Sequence, residues 1–534
     1  MGDSFDYIIV GGGSAGAVLA SRLSENPDTS ICLLEAGGKG DSFVTRIPMG
    51  AILQLPYRLN NWSFSTVPQK HLNNRRTYQP RGRVLGGSSQ LNAMLYIRGT
   101  AADYDGWRDA GCAGWGWDDV LPYFKKSETN QNGANDFHGG DGLLHVSNQA
   151  ELRPVSKAFQ AAAEVNQIWF CEDFNDGTND GVAPYQVTQF HDADRKGQRA
   201  STKAAFLEPF YDRPNLTILT KARVHKVNFE GKRAFSVTVQ HGRSVKELRA
   251  NKEIAVCAGA FQSPHLLMLS GVGPAAHLAE HGIDLVADLT GVGENLQDHL
   301  DITLGYKSHD HRMLGLSLGN IRYLVQQILL YRKNRQGLLA SPFAEMGAFY
   351  KSSPNVEQAD MQLHFVVGIV DNHARKLHSG SGYSCHACLL RPRSRGRVSL
   401  ASSNPKAYPL IDPMYLSAPD DLEDLVRGAK RMHEIMKTKP LSGFIKKELW
   451  ISENPSDDEW RDLIRARAET IYHPVGTCKM GVDDLAVVDS KLRVHGVEGL
   501  RVVDASVMPN QVSGNTNAPT IMIAERAAEF IKAA

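Results

Sequence analysis

Residues 5–35 read FDYIIVGGGSAGAVLASRLSENPDTSICLLE, and this stretch decides the fold. The apolar run FDYIIV is typical of a buried strand, and an amphipathic helical pattern follows it. Between them, Gly11, Gly13 and Gly16 have the spacing G-x-G-x-x-G, which permits a tight turn, close approach to a pyrophosphate and close helix packing. A second strand ends at Glu35, about twenty residues later, where a carboxylate accepts hydrogen bonds from a ribose 2′-hydroxyl. The stretch predicts a Rossmann-like site for FAD or NAD.

The composition is that of a soluble globular protein, and the length indicates more than one hydrophobic core. The chain has 534 residues, whereas a single hydrophobic core stops growing at about 250–300 residues. Its hydrophobic fraction of 42% and charged fraction of 22% are ordinary for a globular protein. Because 59 Lys and Arg nearly balance 58 Asp and Glu, the summed field offers no attraction for phosphate backbones, and we expect no nucleic acid partner.

Three sequence features bear on the location of the protein: the N-terminal segment, the length of its apolar runs and the pattern of residues 320–335. The start, MGDSFDYIIVGGG, has neither the basic opening nor the cleavage site of a secretory signal, so we expect a cytoplasmic protein. No run approaches the roughly 18 apolar residues of a membrane span. Residues 320–335 have apolar positions at helical spacing followed by basic residues, which favours a core-facing helix but leaves open peripheral association with the inner membrane.

The cysteines indicate neither a disulfide framework nor a metal site. Seven cysteines are scattered along a long chain, as expected for reduced thiols. Cys385 and Cys388 have C-x-x-C spacing, but no second pair at zinc-site spacing accompanies them, so we expect no metal.

A second glycine-rich segment, residues 80–99, reads PRGRVLGGSSQLNAMLYIRG. Gly86 and Gly87 remove steric bulk, while Ser88 and Asn92 supply small hydrogen-bonding groups, which suits a backbone passing close to a flat ring and a pyrophosphate. This segment resembles the first signature of the glucose-methanol-choline oxidoreductase family.

Further segments extend the resemblance over essentially the whole chain. Residues 259–274, GAFQSPHLLMLSGVGP, are similar to the second signature of the family, and VGENLQDH, RASTKAAFL and the region from Tyr472 onward also match. The resemblance implies an α/β fold: a Rossmann-like FAD domain interleaved with an α+β substrate domain on an antiparallel sheet. We expect residues 1–155, 215–305 and 465–534 in the FAD domain, and residues 156–214 and 306–464 in the substrate domain.

The resemblance also implies a set of cofactor contacts and the mode of attachment. Some relatives attach the flavin covalently through a histidine at the position of Leu91, so we expect noncovalent FAD here. The expected contacts are Gly11, Gly13, Ser14, Ala15, Gly16, Glu35, Ala36, Arg81, Val84, Gly86, Gly87, Ser88, Asn92, Ala93, Met94, Leu95, Val224, Ala258, Gly259, Tyr472, His473, Asp504, Ala505, Asn515, Asn517, Ala518 and Pro519.

The catalytic pair of the family carries over to His473 in YHPVGTCKMG and Asn517 in GNTNAP. Alcohol oxidation requires a hydride to leave carbon while the hydroxyl proton goes to a base, and a neutral histidine suits the second task. An asparagine amide neither takes the proton nor carries charge, but it hydrogen-bonds the alcohol oxygen and orients the reacting C–H bond.

Within the family, the chain most resembles acceptor-dependent dehydrogenases of primary alcohols. The alternatives are an oxygen-using alcohol oxidase of the hydroxymethylfurfural kind, a choline dehydrogenase, and, in another class, a flavin-dependent lyase or photodecarboxylase. Glu345 and His364 could each face the substrate or be structural. The electron acceptor, a quinone, another carrier or oxygen, and the oligomeric state are not determined by the sequence.

Overall fold

The structure, a computed structural model, describes residues 3–316 and 318–533, apart from the side chains of Leu316 and Leu318. Two large sheets organise it, and each has its own hydrophobic core. We call them the mixed sheet and the antiparallel sheet.

The mixed sheet contains the stretch that begins the chain. Its strands, in spatial order, are Leu216–Thr220, Ile31–Glu35, Ser4–Val10, Ser244–Val256, Arg233–His241 and Ala222–Glu230, and Leu500–Val502 also pairs with Ser244–Val256. The first four strands run parallel, and the two that follow are antiparallel. Strand Ile31–Glu35 is completely buried, and helix Ser14–Leu23 packs against it and against strand Ser4–Val10.

The first helix follows the glycine turn directly. Helix Ser14–Leu23 buries all but two of its residues and packs against helix Asn517–Lys532, so the two ends of the chain meet here. Gly16 lets the helix lie close against the glycine turn, because a Cβ at this position would lie 1.9 Å from the carbonyl oxygen of Gly11. The helix begins at the carboxyl end of strand Ser4–Val10, where dinucleotides bind in such folds.

The antiparallel sheet covers that end of the mixed sheet. Its strands, in spatial order, are Ile445–Leu449, Leu300–Ser308, Gly380–Leu389, Met361–Val366, Ala344–Tyr350 and Gly181–Pro184, while Gly315–Leu316 pairs with Gly380–Leu389 and Glu469–Thr470 with Leu300–Ser308. Three central strands are almost completely buried, since helices Pro154–Val165 and Pro419–Lys437 pack against them.

The helices surround both sheets. They are Ser14–Leu23, Phe43–Arg46, Ala51–Gln54, Ala101–Asp109, Trp117–Ser127, Pro154–Val165, Gln262–Leu269, Ala275–Glu280, Leu318–Asn334, Pro419–Lys437, Asp457–Arg467 and Asn517–Lys532. Among the residues that the structure describes, none of these helices is long and apolar enough to cross a bilayer.

The predicted α/β fold with an added antiparallel sheet is confirmed. The predicted domain boundaries stay a prediction. Strand Leu300–Ser308 runs across the boundary placed at residue 305, and strand Glu469–Thr470, assigned to the FAD domain, pairs with the antiparallel sheet.

Candidate active site

The two glycine-rich turns meet at the carboxyl end of the mixed sheet. A Cβ on Gly87 would lie 2.7 Å from the Cα of Gly13. Gly11 has a φ of 108°, and a Cβ there would lie 2.4 Å from the carbonyl oxygen of Cys257. Side chains are therefore excluded from this crossing, which leaves backbone amides free to face a pyrophosphate.

Glu35 lies beside this crossing, at the end of its strand. Its Oε2 accepts a hydrogen bond from the amide of Gly12 at 3.0 Å, and its Oε1 accepts one from the amide of Gly37 at 2.6 Å. Burial raises the pKa of this carboxyl to about 7, against the lowering effect of the two amides. A ribose hydroxyl donating to the carboxylate would stabilise its charged form further, as the predicted role requires.

One cavity of about 460 Å³ extends from this crossing to the antiparallel sheet. Most of the predicted contacts line it: Gly11, Gly13, Ser14, Ala15, Glu35, Ala36, Arg81, Gly87, Ser88, Asn92, Ala93, Met94, Leu95, Val224, Ala258, Gly259, Tyr472, His473, Asp504, Ala505, Asn515 and Asn517. Its glycine-lined end and the Glu35 carboxylate would hold the phosphates and a ribose of the FAD that the resemblance implies, and His473 lines the same cavity.

Some predicted contacts lie behind the cavity wall: Gly16, Val84, Gly86, Ala518 and Pro519 are not among its lining residues. Gly86 has a φ of 92° and starts the turn that carries Gly87. The proline and its neighbour are buried in the first turn of helix Asn517–Lys532. These residues position the lining rather than form it.

His473 is buried in the wall of the cavity, and its ring is held between two groups. Its Nε2 lies 3.1 Å from the Nδ2 of Asn515, and its Nδ1 lies 3.0 Å from the Nδ1 of His299. The amide nitrogen of His473 donates to Asp298, and its carbonyl accepts from Gln511, so the backbone is fixed as well.

The hydrogen bond between His299 and the Leu390 carbonyl favours one position for the proton of His473. The Nε2 of His299 lies 3.1 Å from the carbonyl oxygen of Leu390, which only accepts, so this nitrogen is the donor. In the neutral ring the Nδ1 of His299 is then an acceptor and takes the Nδ1 proton of His473. The Nε2 of His473 is left with its lone pair directed at Asn515 and the cavity.

Burial keeps both rings neutral. It lowers the pKa of His473 well below its ordinary value, and the neighbouring His299, His364 and Arg81 act in the same direction. Burial likewise lowers the pKa of His299 to about 3. The His473 ring therefore stays uncharged over a broad pH range.

The structure places Asn515, rather than Asn517, against the base. The Oδ1 of Asn515 accepts from the Nε2 of Gln362 at 3.3 Å, which turns the amide nitrogen toward His473. The Oδ1 of Asn517 instead accepts a hydrogen bond from the Oγ of Ser14 at 2.7 Å. Both asparagines line the cavity, so the role predicted for Asn517 at the base stays a prediction, while Asn515 has the contact.

Glu345 and His364 have different surroundings. His364 lines the cavity, and neither of its ring nitrogens has a hydrogen-bond partner within the described residues. Glu345 is fully buried but not among the lining residues; its carboxylate accepts hydrogen bonds from Arg153 and Ser156 on the opposite side of its strand. Only the histidine is placed to meet a substrate.

Comparison with known proteins identifies the family. GMC oxidoreductase family models match residues 5–301 and 392–524. An alcohol dehydrogenase [acceptor] of Pseudomonas putida is 48% identical over 99% of this chain and 95% of its own length. An oxygen-dependent choline dehydrogenase of Paraburkholderia xenovorans (strain LB400) is 42% identical over 99% of this chain and 94% of its own.

Solved structures agree with the sequence comparison. Pyridoxine 4-oxidase from Mesorbium loti matches with a TM-score of 0.88 at 32% identity, covering 98% of both chains. Formate oxidase of Aspergillus oryzae RIB40, studied for its FAD modification, matches with a TM-score of 0.91 at 27% identity, covering 100% of this chain and 98% of its own. With its glycine crossing, Glu35 and buried His473 in one cavity, the chain belongs to the GMC oxidoreductase family, as an FAD enzyme that acts on alcohol-type donors.

Proposed function

We propose that the protein oxidises a neutral primary alcohol to an aldehyde. The observation that supports this is the Nε2 lone pair of His473, which faces the cavity beside the Asn515 amide. When bound, FAD supplies the hydride acceptor at N5. His473 removes the hydroxyl proton, and Asn515 hydrogen-bonds the alcohol oxygen as negative charge develops on it. We assign the predicted electron acceptor to a quinone or another carrier, and the protein to the cytoplasm.

The charges around the cavity favour a neutral substrate. The acidic residues among its described lining are Glu35 and Asp504, and both belong to its nucleotide end. The Asp504 carboxylate is occupied by the amide of Gly259 and the hydroxyl of Ser263. At the alcohol end, Glu345 faces away and is paired with Arg153 at 2.7 Å. A quaternary ammonium group would therefore lose its hydration without gaining an anionic partner.

We expect anaerobic reduction of the flavin by 3,3-dimethyl-1-butanol to be at least about 100-fold more efficient than reduction by choline, since one unpaired buried charge costs several kcal/mol. The two alcohols have nearly the same shape, but choline has a positively charged quaternary nitrogen where 3,3-dimethyl-1-butanol has an uncharged carbon. Stopped-flow absorbance of the flavin gives the rate constants. Equal efficiency with both alcohols would contradict a neutral pocket, whereas failure of every alcohol to bleach the flavin would contradict the reaction itself and favour lyase or photodecarboxylase chemistry.

We also propose that FAD is held noncovalently. Leu91, at the position where some relatives carry the tethering histidine, is buried and lines the cavity with a side chain that forms no such bond. Acid or heat denaturation of the yellow holoenzyme is expected to release intact FAD into the supernatant. Flavin fluorescence that stays on the denatured polypeptide in a gel would contradict this attachment.

The electron acceptor is tested by following the reoxidation of the flavin, which is the second half of the catalytic cycle. After anaerobic reduction by an alcohol, the flavin is expected to reoxidise faster with a soluble quinone than with air-saturated buffer. Faster reoxidation by oxygen would assign the protein to the alcohol oxidases.

A further inference from the structure

Helix Leu318–Asn334 exposes an apolar stripe to solvent. Ile321, Val325, Ile328 and Leu329 are 58%, 51%, 39% and 59% exposed, and their spacing places them on one face of the helix. The opposite face is fixed to the protein, because Gln327 is 9% exposed and its Oε1 accepts a hydrogen bond from the amide of Leu338. Beside the stripe, Tyr331 is 1% exposed, and its hydroxyl donates to the carbonyl of Gly197. The helix therefore packs on the core as the sequence predicted, but within the described residues nothing covers the apolar stripe of Ile321, Val325, Ile328 and Leu329.

A neighbouring segment, residues 43–59, exposes apolar side chains as well. Those that are at least half exposed are Phe43, Leu53, Tyr57 and Leu59. The segment packs against the helix through a small cluster in which Ile47 and Met49 contact Tyr331 and Leu324. We call residues 43–59 and helix Leu318–Asn334 together the apolar surface. Ile52 and Leu55 of the same segment line the cavity, so the apolar surface adjoins the candidate active site.

The apolar surface also carries basic side chains and no acidic ones. Residues 43–59 and 318–335 contain no Asp or Glu, although the whole chain has 58 of them. Their charged residues are Arg46, Arg58, Arg322, Arg332, Lys333 and Arg335, and all of them are exposed. In a chain whose net charge is +1, this is a local excess of cations beside a large exposed apolar area.

We propose that the apolar surface docks the protein on an anionic lipid bilayer. A helix with apolar residues on one face and Arg and Lys at its end lies in the plane of the lipid headgroups, with the apolar side chains inserted and the cations near the phosphates. A second copy of this chain is a poorer occupant, because a two-fold interface would bring the same cations against one another. This inference goes beyond the proposed reaction and does not depend on it.

The test is flotation of the purified holoenzyme with vesicles. At low salt we expect most of the protein to float with vesicles of phosphatidylcholine and phosphatidylglycerol in a 3:1 ratio, and at least about tenfold less with phosphatidylcholine alone or in 0.5 M NaCl. The variant Ile321→Gln/Val325→Gln/Ile328→Gln/Leu329→Gln and the variant Arg332→Glu/Lys333→Glu are each expected to float at least about tenfold less than the wild type. Both should keep their FAD, since none of these residues lines the cavity.

A matched control replaces exposed apolar residues elsewhere. Val245 and Leu285 are 58% and 51% exposed, and Val245→Gln/Leu285→Gln is expected to float like the wild type. The proposal is overturned if the wild type ignores anionic vesicles, if binding persists in both surface variants, or if the control loses binding equally. Light scattering on the same samples tests whether a second copy of the chain covers this face instead. If the wild type is an oligomer that the surface variants convert to monomers without loss of flotation, this face is an interface between copies. If the four-residue variant misfolds, flotation of the Arg332→Glu/Lys333→Glu variant and the salt dependence of the wild type still test the proposal.

Discussion

A His473→Ala variant will keep its FAD and reduce it with a primary alcohol about 10²–10⁴-fold more slowly than the wild type, the usual contribution of a positioned general base. The hydride leaves carbon with difficulty while the alcohol keeps its proton, and the Nε2 of His473 is the acceptor that the hydrogen-bond network leaves unprotonated. Anaerobic stopped-flow reduction at saturating alcohol measures the loss directly.

The control for that variant is another buried histidine of the same cavity. His364→Ala should lose much less of the reduction rate, because within the described part of the chain neither ring nitrogen of His364 has a partner that would fix a proton on it. The pH profile gives an independent readout. Since the neutral ring is the active form and burial lowers its pKa well below the ordinary value, the wild-type rate should stay level as pH falls through 6.5. A His473→Ala rate equal to that of the wild type would refute the assignment of the base.

The parts of the site that sequence predicted well are those in which local geometry requires a particular residue. A dinucleotide turn requires glycine where the backbone crosses another backbone, and Gly11, Gly13 and Gly87 lie at that crossing. The strand before the turn and the helix after it are set by short-range patterns, and for this reason the fold class could also be read from about thirty residues.

The choice between two asparagines could not be made in this way. Asn515 and Asn517 are two residues apart at the start of helix Asn517–Lys532. Which side chain turns toward His473 depends on the backbone before the helix and on Gln362, which belongs to the antiparallel sheet. Likewise, the direction of Glu345 depends on its strand register and on Arg153, which is distant in sequence.

His299 was missed for the same reason. In the sequence, the segment VGENLQDH shows only a match to the family, whereas in the structure its last residue, His299, contacts His473 across a sequence separation of 174 residues. The available signal was a run of polar residues leading directly into the buried strand Leu300–Ser308, which is unusual unless the polar groups have partners.

Replacing His299 with phenylalanine should therefore slow flavin reduction by about 10²-fold, the usual effect of removing a group that orients a functional histidine. Phenylalanine fills the space but offers no acceptor for the Nδ1 proton of His473, so the proton is free to move to Nε2, which then no longer acts as a base. The effect should fall on the limiting rate of reduction, with little change in the alcohol concentration that half-saturates it, because His299 does not line the cavity.

The conservative variant His299→Gln separates this positioning role from simple packing. Its amide oxygen accepts from the Nδ1 of His473, while its NH₂ group donates to the Leu390 carbonyl, as the two nitrogens of His299 do now. We expect His299→Gln to recover most of the rate that His299→Phe loses, with the same FAD content and the same thermal midpoint in both variants. If glutamine is as slow as phenylalanine, or if phenylalanine reduces its flavin at the wild-type rate, then His299 does not select the tautomer of the base.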